Sequence, residues 1–361
     1  MGSVEGIRFM GCERWFCKPL FKAYWQNITI RNFVAGIMSI LLAIQPVLVD
    51  IVADPSNGKG TNVYQAGNGI NTVDIATPNS AGLSHNRYQK FGVFHSGVIL
   101  NNATDELSLS QLGGLIQGNS NLVSTGAASV ILNEVTSAHR SILEGAIEVH
   151  GANVDVILAN PYGITCNGCG FINTSRVTLA TGAPVIGSDG SMTSLRIIGG
   201  DILVGANGAE MRSTAIFDIL SRRISLQGPI ASNGNLNLIA GQNSFDYQNG
   251  STTYLASDGN EPDIAIDSTQ LGGMYANRIT LVSTDAGSVV NMQGQMAANA
   301  DQMTLTSDGR LVLSNAQATG AIRATSNNDE IRVEKTIFLT PPLFLRAIQR
   351  STLPITVMLQ V

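Results

Sequence analysis

The sequence predicts an all-β protein whose short strands stack as successive coils. From residue 54 onward, no stretch keeps apolar residues at the spacing of a helix face, and apolar and polar residues instead alternate in short runs. Turn-forming Gly, Asn, Asp or Ser bounds each run. The runs are 154–158, 176–179, 201–204, 235–239, 278–282, 302–305 and 310–313.

The spacing of these runs predicts a β-helix. Ile279 and Met303 are 24 positions apart, and Val289 and Leu311 are 22 positions apart. A repeat of roughly 20–25 residues is typical of a solenoid, whose coils bury their apolar sides only by stacking on one another. The alternative is an antiparallel sandwich, because Asn-Gly pairs such as 207–208 and 233–234 suit hairpin turns. The period alone leaves both arrangements open.

The composition suits a folded chain of this kind and argues against nucleic acid as a partner. The 361 residues are 44% hydrophobic but only 6% aromatic. Such a chain has enough apolar side chains for a thin, repetitive core, which a disordered chain lacks. Only 13% of the residues are charged and the formal net charge is −5, so no basic surface for nucleic acid is expected.

Residues 1–53 have the organisation of an extended signal peptide. A basic region precedes an apolar run at 33–49, and Ala53 offers a small residue for cleavage. An N-terminal membrane anchor is the alternative, because the run is almost long enough to span a bilayer. No stop-transfer cluster of charges follows the run, which favours the signal peptide. The basic residues are Arg8, Arg14, Lys18, Lys22 and Arg31.

Three further segments are predicted. Residues 54–150 are less regular, and we expect an N-terminal β cap with the first coils there, including a short helix or turn at 107–118. Residues 151–335 are predicted to form the β-helix coils. Residues 336–361 contain two adjacent prolines and no visible repeat. We expect them to be an atypical tail, produced by truncation or a frame shift, that the fold does not need.

Cys166 and Cys169 are the only cysteines after the predicted signal peptide. A zinc site needs about four ligands, and neither a second C-x-x-C motif nor a nearby histidine pair exists. A redox motif of the thioredoxin type needs a βαβ context, which the pattern lacks. In an exported chain, the pair is therefore expected to close as a disulfide across a tight, glycine-flanked turn.

No group of residues in the sequence predicts catalysis, a metal site or a cofactor. A β-helical polysaccharide lyase would need clustered acids beside a basic residue, whereas Asp155, Asp201, Asp218 and Glu210 are dispersed. The G-x-S-x-G motif of hydrolases is also absent. We therefore expect a protein that is not an enzyme and uses no cofactor.

Several runs of the sequence resemble the two-partner secretion domain. They are residues 82–88, 97–102 and 130–136 and, most closely, residues 159–182, which include Asn-Pro-Tyr-Gly-Ile-Thr-Cys-Asn-Gly-Cys-Gly-Phe-Ile-Asn-Thr. The family includes filamentous haemagglutinins, haemolysins and contact-dependent growth inhibition exoproteins. The resemblance covers roughly residues 60–320 and is specific, because long, dissimilar motifs occur in the family's order. Tyr162 and the cysteine pair resemble the growth-inhibition branch.

The resemblance implies a right-handed parallel β-helix with a capping N-terminal part. It also implies export through the periplasm to the medium or the cell surface. The partner would be a dedicated outer-membrane β-barrel transporter, which binds through its periplasmic domains, and a host or neighbouring-cell surface is a further expected partner. The family's exoproteins usually run far longer and end in a toxin or adhesin region.

The family's two secretion motifs can be matched to this sequence residue by residue. The first falls on Asn119, Asn121 and Leu122, with Ser120 in place of proline. The second falls on Asn160, Pro161, Gly163 and Ile164, with Tyr162 in place of asparagine.

Two other functions stay open on the sequence. A β-helical carbohydrate-active enzyme would require a groove that holds at least two close acids. An autotransporter passenger would require a C-terminal barrel of alternating strands, and no such pattern follows residue 320.

Overall fold

The computed structural model describes residues 50–56, 60–256, 258–339 and 343–347. Most of the predicted signal peptide and most of the predicted tail lie outside these residues. Within them the chain forms 33 strands and a single 3₁₀ turn, Ser120–Leu122. No helix in these ranges has the length and apolarity that crossing a membrane requires.

The first ten strands belong to the cap and the first coils. They are β1 (Ile51–Ala53), β2 (Asn62–Gln65), β3 (Asn71–Asp74), β4 (Leu83–Phe91), β5 (Val98–Asn102), β6 (Leu107–Ser110), β7 (Gly114–Gln117), β8 (Val130–Val135), β9 (Ser141–Leu143) and β10 (Ala146–Gly151).

The middle strands are β11 (Val154–Ala159), β12 (Ile164–Cys166), β13 (Cys169–Ile172), β14 (Thr174–Ala180), β15 (Gly182–Ile186), β16 (Met192–Ile197), β17 (Asp201–Val204), β18 (Ala209–Met211), β19 (Ile216–Ser221), β20 (Arg223–Leu226), β21 (Ile230–Ser232), β22 (Asn235–Ala240), β23 (Asn243–Asp246) and β24 (Thr252–Tyr254). The last strands are β25 (Ile264–Ser268), β26 (Met274–Ala276), β27 (Arg278–Ser283), β28 (Val289–Ala298), β29 (Met303–Ser307), β30 (Leu311–Ala318), β31 (Ile322–Ser326), β32 (Ile331–Leu339) and β33 (Leu343–Ala347).

Parallel strands from successive coils build three faces of a β-helix. Face 1 is a sheet in the order β1, β4, β8, β11, β14, β19, β22, β27, β29, β31 and β33, in which β1 pairs antiparallel with β4 and the later strands pair in parallel. Face 2 runs through β9, β12, β17, β20, β25 and the first halves of β28, β30 and β32. Face 3 runs through β3, β5, β10, β13, β18, β21, β26 and the second halves of the same three long strands. The predicted all-β, parallel β-helical fold is confirmed.

The register between coils agrees with the predicted period. Ile279 pairs with Met303, 24 positions further on, as the sequence spacing predicts. Leu311 pairs with Val290 rather than Val289, because Val290 is the residue that faces the core. The Asn-Gly pairs at 207–208 and 233–234 lie in turns between faces of the helix, so the antiparallel sandwich is excluded.

The main core is a column of inward side chains, one above another. In face 1 the column passes through Val156, Val177, Phe217, Leu236, Ile279, Met303 and Ile322, each beside the next in register and at most 1% exposed. No single coil could bury such a row, and the stacking of coils removes it from water.

A four-stranded antiparallel sheet, which the sequence did not predict, packs against the outside of face 1. It has the order β15, β16, β23, β24 and is built from two insertions between coil strands. Leu195 and Phe245 of this sheet meet Ile157, Leu220 and Ile239 of face 1 in a second hydrophobic core. Face 1 is therefore apolar on both sides here, as in a strand that is covered by two layers.

Residues 107–118 form a β-hairpin whose turn lies at 111–113, so the expected turn is present and the alternative of a short helix is wrong. β6 and β7 pair antiparallel, with Leu109 beside Leu115. The run Leu107-Ser108-Leu109-Ser110 alternates with a period of two, which is the signature of a strand rather than a helix.

Both ends of the described chain depart from the predicted boundaries. β1 lies within the segment assigned to the signal peptide, yet it pairs with β4 and buries Ile51. At the other end the repeat does not stop at residue 335, because β32 crosses that position and β33 pairs with β31. Pro341 and Pro342 fall between these two strands in the sequence and lie outside the described residues.

Candidate functional site

The first motif closes a turn at the N-terminal end of the helix. Asn119 is 2% exposed, and its Oδ1 accepts the backbone N–H of Asn121 at 2.9 Å. Its Nδ2 donates to the carbonyl oxygens of Ile75 at 2.9 Å and of Asn101 at 3.0 Å, which belong to neighbouring coils. The Asn119 side chain therefore joins two coils while it shapes its own turn.

The other residues of the first motif divide between core and surface. Asn121 Nδ2 donates to the carbonyl oxygens of Gly60 at 2.8 Å and of Ile75 at 2.9 Å. Leu122 is 1% exposed and packs in the main core. Ser120, which stands where the family has proline, is exposed at the start of the 3₁₀ turn. The turn keeps its hydrogen bonds without the ring of a proline.

The second motif makes a similar turn between face 1 and face 2. Asn160 is fully buried, and its Oδ1 accepts the backbone N–H of Tyr162 at 2.9 Å. Its Nδ2 donates at 2.9 Å to the carbonyl oxygen of His139 and to Oγ of Ser141, both in the preceding coil. The Asn160 backbone N–H donates to the carbonyl oxygen of Ala180 in the following coil. Asn160 thus holds three successive coils together.

Pro161, Gly163 and Ile164 each have a distinct place in this turn. Pro161 is exposed, and Ile164 is fully buried in the main core. Gly163 has φ of 103°, a left-handed conformation that favours glycine. A Cβ at this position would collide with the guanidinium of Arg140. That guanidinium donates to both carboxylate oxygens of Asp201, at 3.0 and 2.7 Å.

The two motifs are far apart in sequence but share one geometry. In each, an asparagine amide oxygen accepts the N–H two residues ahead, and the amide nitrogen donates to two oxygens. An amide that is buried and fully hydrogen-bonded offers nothing to a partner. In the folded chain Asn119 and Asn160 therefore join neighbouring coils by hydrogen bonds. Of the two turns, only Ser120, Pro161 and Tyr162 are exposed to solvent.

Cys166 and Cys169 are joined as a disulfide in the structure, with Cα atoms 5.2 Å apart. Cys166 ends β12 and Cys169 begins β13, so the bond closes the corner between face 2 and face 3. Both sulfur-bearing side chains are fully buried in the main core. The formation of this disulfide in exported protein stays a prediction, which the mass of the unreduced chain would check.

A cleft of about 780 Å³ lies beside the β6–β7 hairpin and contains Asp105, Glu148 and His150. Two close acids are the feature that an enzyme of the β-helical class would need. Glu148 Oε2, however, accepts hydrogen bonds from Ser110 Oγ and the Leu112 N–H at 2.8 Å each. Its Oε1 accepts the Gln111 N–H at 2.8 Å. The carboxylate is therefore occupied in holding the hairpin and is not free for acid–base work.

His150, in β10, contacts the same hairpin. Its Nε2 lies 2.9 Å from Ser108 Oγ, and the side chain is buried. Burial lowers the pKa of His150, against the opposing charges of Glu148 and Asp105. Among the described residues, no group of three or more His, Cys, Asp or Glu is arranged to hold a metal ion.

Sequence reasoning missed several residues that fix these turns. Arg140 ties the second motif to two coils, and Glu148 fixes the hairpin that leads into the first. Asn102, inside a run that resembles the family, is fully buried and makes the same kind of cross-coil bonds to Ala128 and Ala152. Its only sequence signal is its position in that run, because an isolated Arg, Glu or Asn gives no pattern.

Comparison with known proteins gives the same family by sequence and by structure. The sequence model described as the TPS secretion domain matches residues 50–313. The 16S rRNA endonuclease CdiA of Enterobacter cloacae is 42% identical over 302 residues, which are 84% of this chain and 9% of that protein. The tRNA nuclease CdiA of Yersinia mollaretii is 45% identical over 298 residues, 82% of this chain and 10% of that protein.

A crystal structure of a filamentous hemagglutinin secretion domain superimposes on this chain with a TM-score of 0.76 and 32% identity. The match covers 82% of this chain and 99% of that one. The chain spans only about a tenth of the length of its nuclease relatives. The fold, the motifs and these matches together establish that the chain belongs to the TPS secretion domain family, the secretion domains of two-partner exoproteins.

Proposed function

We propose that this chain directs the export of an exoprotein through a dedicated outer-membrane β-barrel transporter. The observation that supports this most strongly is the match to a solved secretion domain over 99% of that domain's length. The route would run through the periplasm, and the product would be released or held at the cell surface. A nuclease activity, such as the names of the relatives record, is not proposed for this chain, and neither is any other catalysis.

The burial of the motif asparagines suggests when the transporter acts on them. Asn119 and Asn160 are at most 2% exposed in the finished fold. A transporter that recognises these side chains would have to bind them before the coils stack. An extended, strand-forming segment could add to a sheet edge of the transporter's periplasmic domains. Folding outside the cell would then make passage one-way, because each stacked coil provides a template for the next.

The signal peptide is proposed to end before Asp50 rather than at Ala53. Asp50 accepts a hydrogen bond from Lys90 Nζ at 2.8 Å, and the Gly92 N–H donates to its carbonyl oxygen at 2.7 Å. Cleavage at Ala53 would remove these contacts together with β1. Mass spectrometry of the exported N-terminus would identify the cut.

Co-expression with the transporter tests the proposed function. We expect the chain in the culture medium when the transporter is present and in the periplasm when it is not. A chain that reaches the medium equally well in both strains would contradict the proposal. Periplasmic marker proteins, measured in the same medium, control for cell lysis.

A further inference from the structure

The β6–β7 hairpin has its apolar and polar sides reversed. Leu107 and Leu109 are 59% and 76% exposed, whereas Ser110 is 2% exposed. Leu115, which pairs with Leu109 across the hairpin, is 67% exposed. A strand that covers a protein normally turns its apolar residues inward and its polar residues outward. The outer face of this hairpin therefore presents three leucines to solvent.

The inner side explains why the serines are buried but not why leucines are exposed. Ser108 and Ser110 point at His150 and Glu148, and these hydrogen bonds dock the hairpin on β10. Any polar residue would serve at the outer positions. Contiguous exposed apolar residues of this kind usually mark a site of interaction.

The hairpin also offers a backbone edge. β6 and β7 form a sheet of their own and pair with no other strand of the described chain. An edge without Pro or Lys can accept a further strand, and alternate side chains then fit pockets of the partner. No Pro, Lys or Arg occurs between residues 91 and 139, so the usual protection of an edge is missing here.

The charges around the hairpin indicate the chemistry of the partner. Asp105 and Glu106 are exposed immediately before β6. No Lys or Arg lies between Lys90 and Arg140 in the sequence, so the segment that carries the hairpin places only carboxylates, those of Asp105 and Glu106, directly beside its apolar face. A complementary partner would have an apolar groove with a basic rim. The hairpin also leads through Gly118 directly into Asn119 of the first motif.

We infer that the outer face of the β6–β7 hairpin, made of Leu107, Leu109 and Leu115, is a docking surface for the periplasmic part of the transporter. The transporter would add a strand to the hairpin edge and receive the leucines in an apolar groove with a basic rim. The inference rests on the proposed function. Because this surface faces solvent after folding, the transporter can reach it in the folded chain, whereas the asparagines of the two motifs are then buried.

Binding of the folded chain to the purified periplasmic domains of the transporter tests the inference. The variant Leu109→Ser with Leu115→Ser removes most of the apolar surface but keeps Ser108, Ser110 and their partners. Leu271→Ser is the matched control, because Leu271 is also 76% exposed and lies in the turn between β25 and β26. Thermal melting confirms that both variants are folded.

We expect the double variant to bind at least about tenfold more weakly than the parent chain, and Leu271→Ser to bind like the parent. Raised salt should also weaken parental binding, because the rim is charged. Unchanged affinity of the double variant would overturn the inference. The inference would also be overturned if the parent chain self-associates, the double variant does not, and the double variant still binds the transporter. Failure of the parent chain to leave the cell would instead contradict the proposed function, whatever the affinities are.

Discussion

Asparagine suits both motif turns because one short side chain carries an acceptor and two donor hydrogens. At Asn160 the oxygen fixes the local turn through the Tyr162 N–H, while the nitrogen reaches His139 and Ser141 in the preceding coil. Aspartate would lose the donor, and serine would lack the reach. The sequence predicts the turn from the Asn-Pro pair, but it does not predict that the asparagine is buried. Burial depends on the coils above and below.

Replacing Asn160 by Ala should reduce export by more than its loss of stability explains. Asn160 and Asn102 each make three side-chain hydrogen bonds and are fully buried. Either change to Ala should lower the free energy of unfolding by about 1–3 kcal/mol, because buried partners are left unsatisfied. Asn102 lies outside both motifs, so Asn102→Ala is the matched control.

The measurement is the fraction of each variant in the medium, set beside its unfolding free energy from denaturant titration. Lower export of Asn160→Ala than of Asn102→Ala, at similar stability, is the expected result. If export follows stability alone in both variants, the motif has no role beyond the fold.

Stability should fall below neutral pH partly because of His150. Burial lowers the pKa of His150 from its ordinary value of 6.5, so the unfolded chain binds its proton more readily than the folded chain does. The stabilisation is therefore complete above pH 6.5, begins to decrease there, and is lost as the pH falls through the lower pKa of the folded chain.

Denaturant titrations at pH 7.5 and 5.5 check this prediction. His150→Gln should lose less stability between the two pH values than the parent chain does. His95→Gln changes an exposed histidine and should behave like the parent. An equal loss in all three chains would mean that His150 is not responsible.

Among the elements, the coil strands were predictable from sequence. The four-stranded sheet and the β6–β7 hairpin, which lie outside the three faces of the helix, were not. Alternation and a regular period identify strands such as β27 and β29, because every coil repeats one physical requirement. The four-stranded sheet has no repeat, and its strands come from two insertions about 50 residues apart. Its pairing depends on contacts such as Leu195 with Phe245, which no local pattern encodes.

Phe245→Ala tests whether the four-stranded sheet is part of the cooperative fold. Phe245 is 1% exposed in the second core, and Arg176 lies over its ring at 5.8 Å. Its replacement by Ala should lower the free energy of unfolding by about 3–5 kcal/mol, because apolar burial is lost and a cavity is left behind. Tyr254→Ala in β24 is the control, since Tyr254 is 57% exposed and should change stability by less than about 1 kcal/mol.

Thermal melting followed by circular dichroism compares the two variants. One transition at a lower temperature is expected for Phe245→Ala. An unchanged midpoint would mean that the added sheet contributes little to the stability of the β-helix.

For the whole molecule, the stacking of coils accounts for the stability of the fold, and it is also the step that the proposed export mechanism uses. A single coil cannot bury its inner apolar side, so the column from Val156 to Ile322 depends on the stacking of successive coils. The predicted ends were less accurate than the centre. Strands β1, β32 and β33 belong to the helix through backbone pairing with their neighbours, and a sequence repeat does not record that pairing.

The order in which the chain and the transporter are made tests the central claim that export uses the chain before it folds. The chain is expressed first without the transporter and allowed to fold in the periplasm. Its synthesis is then stopped, and the transporter is induced. We predict that this earlier chain stays in the periplasm, whereas chain made after induction reaches the medium. Release of the earlier, folded chain in comparable yield would contradict the account.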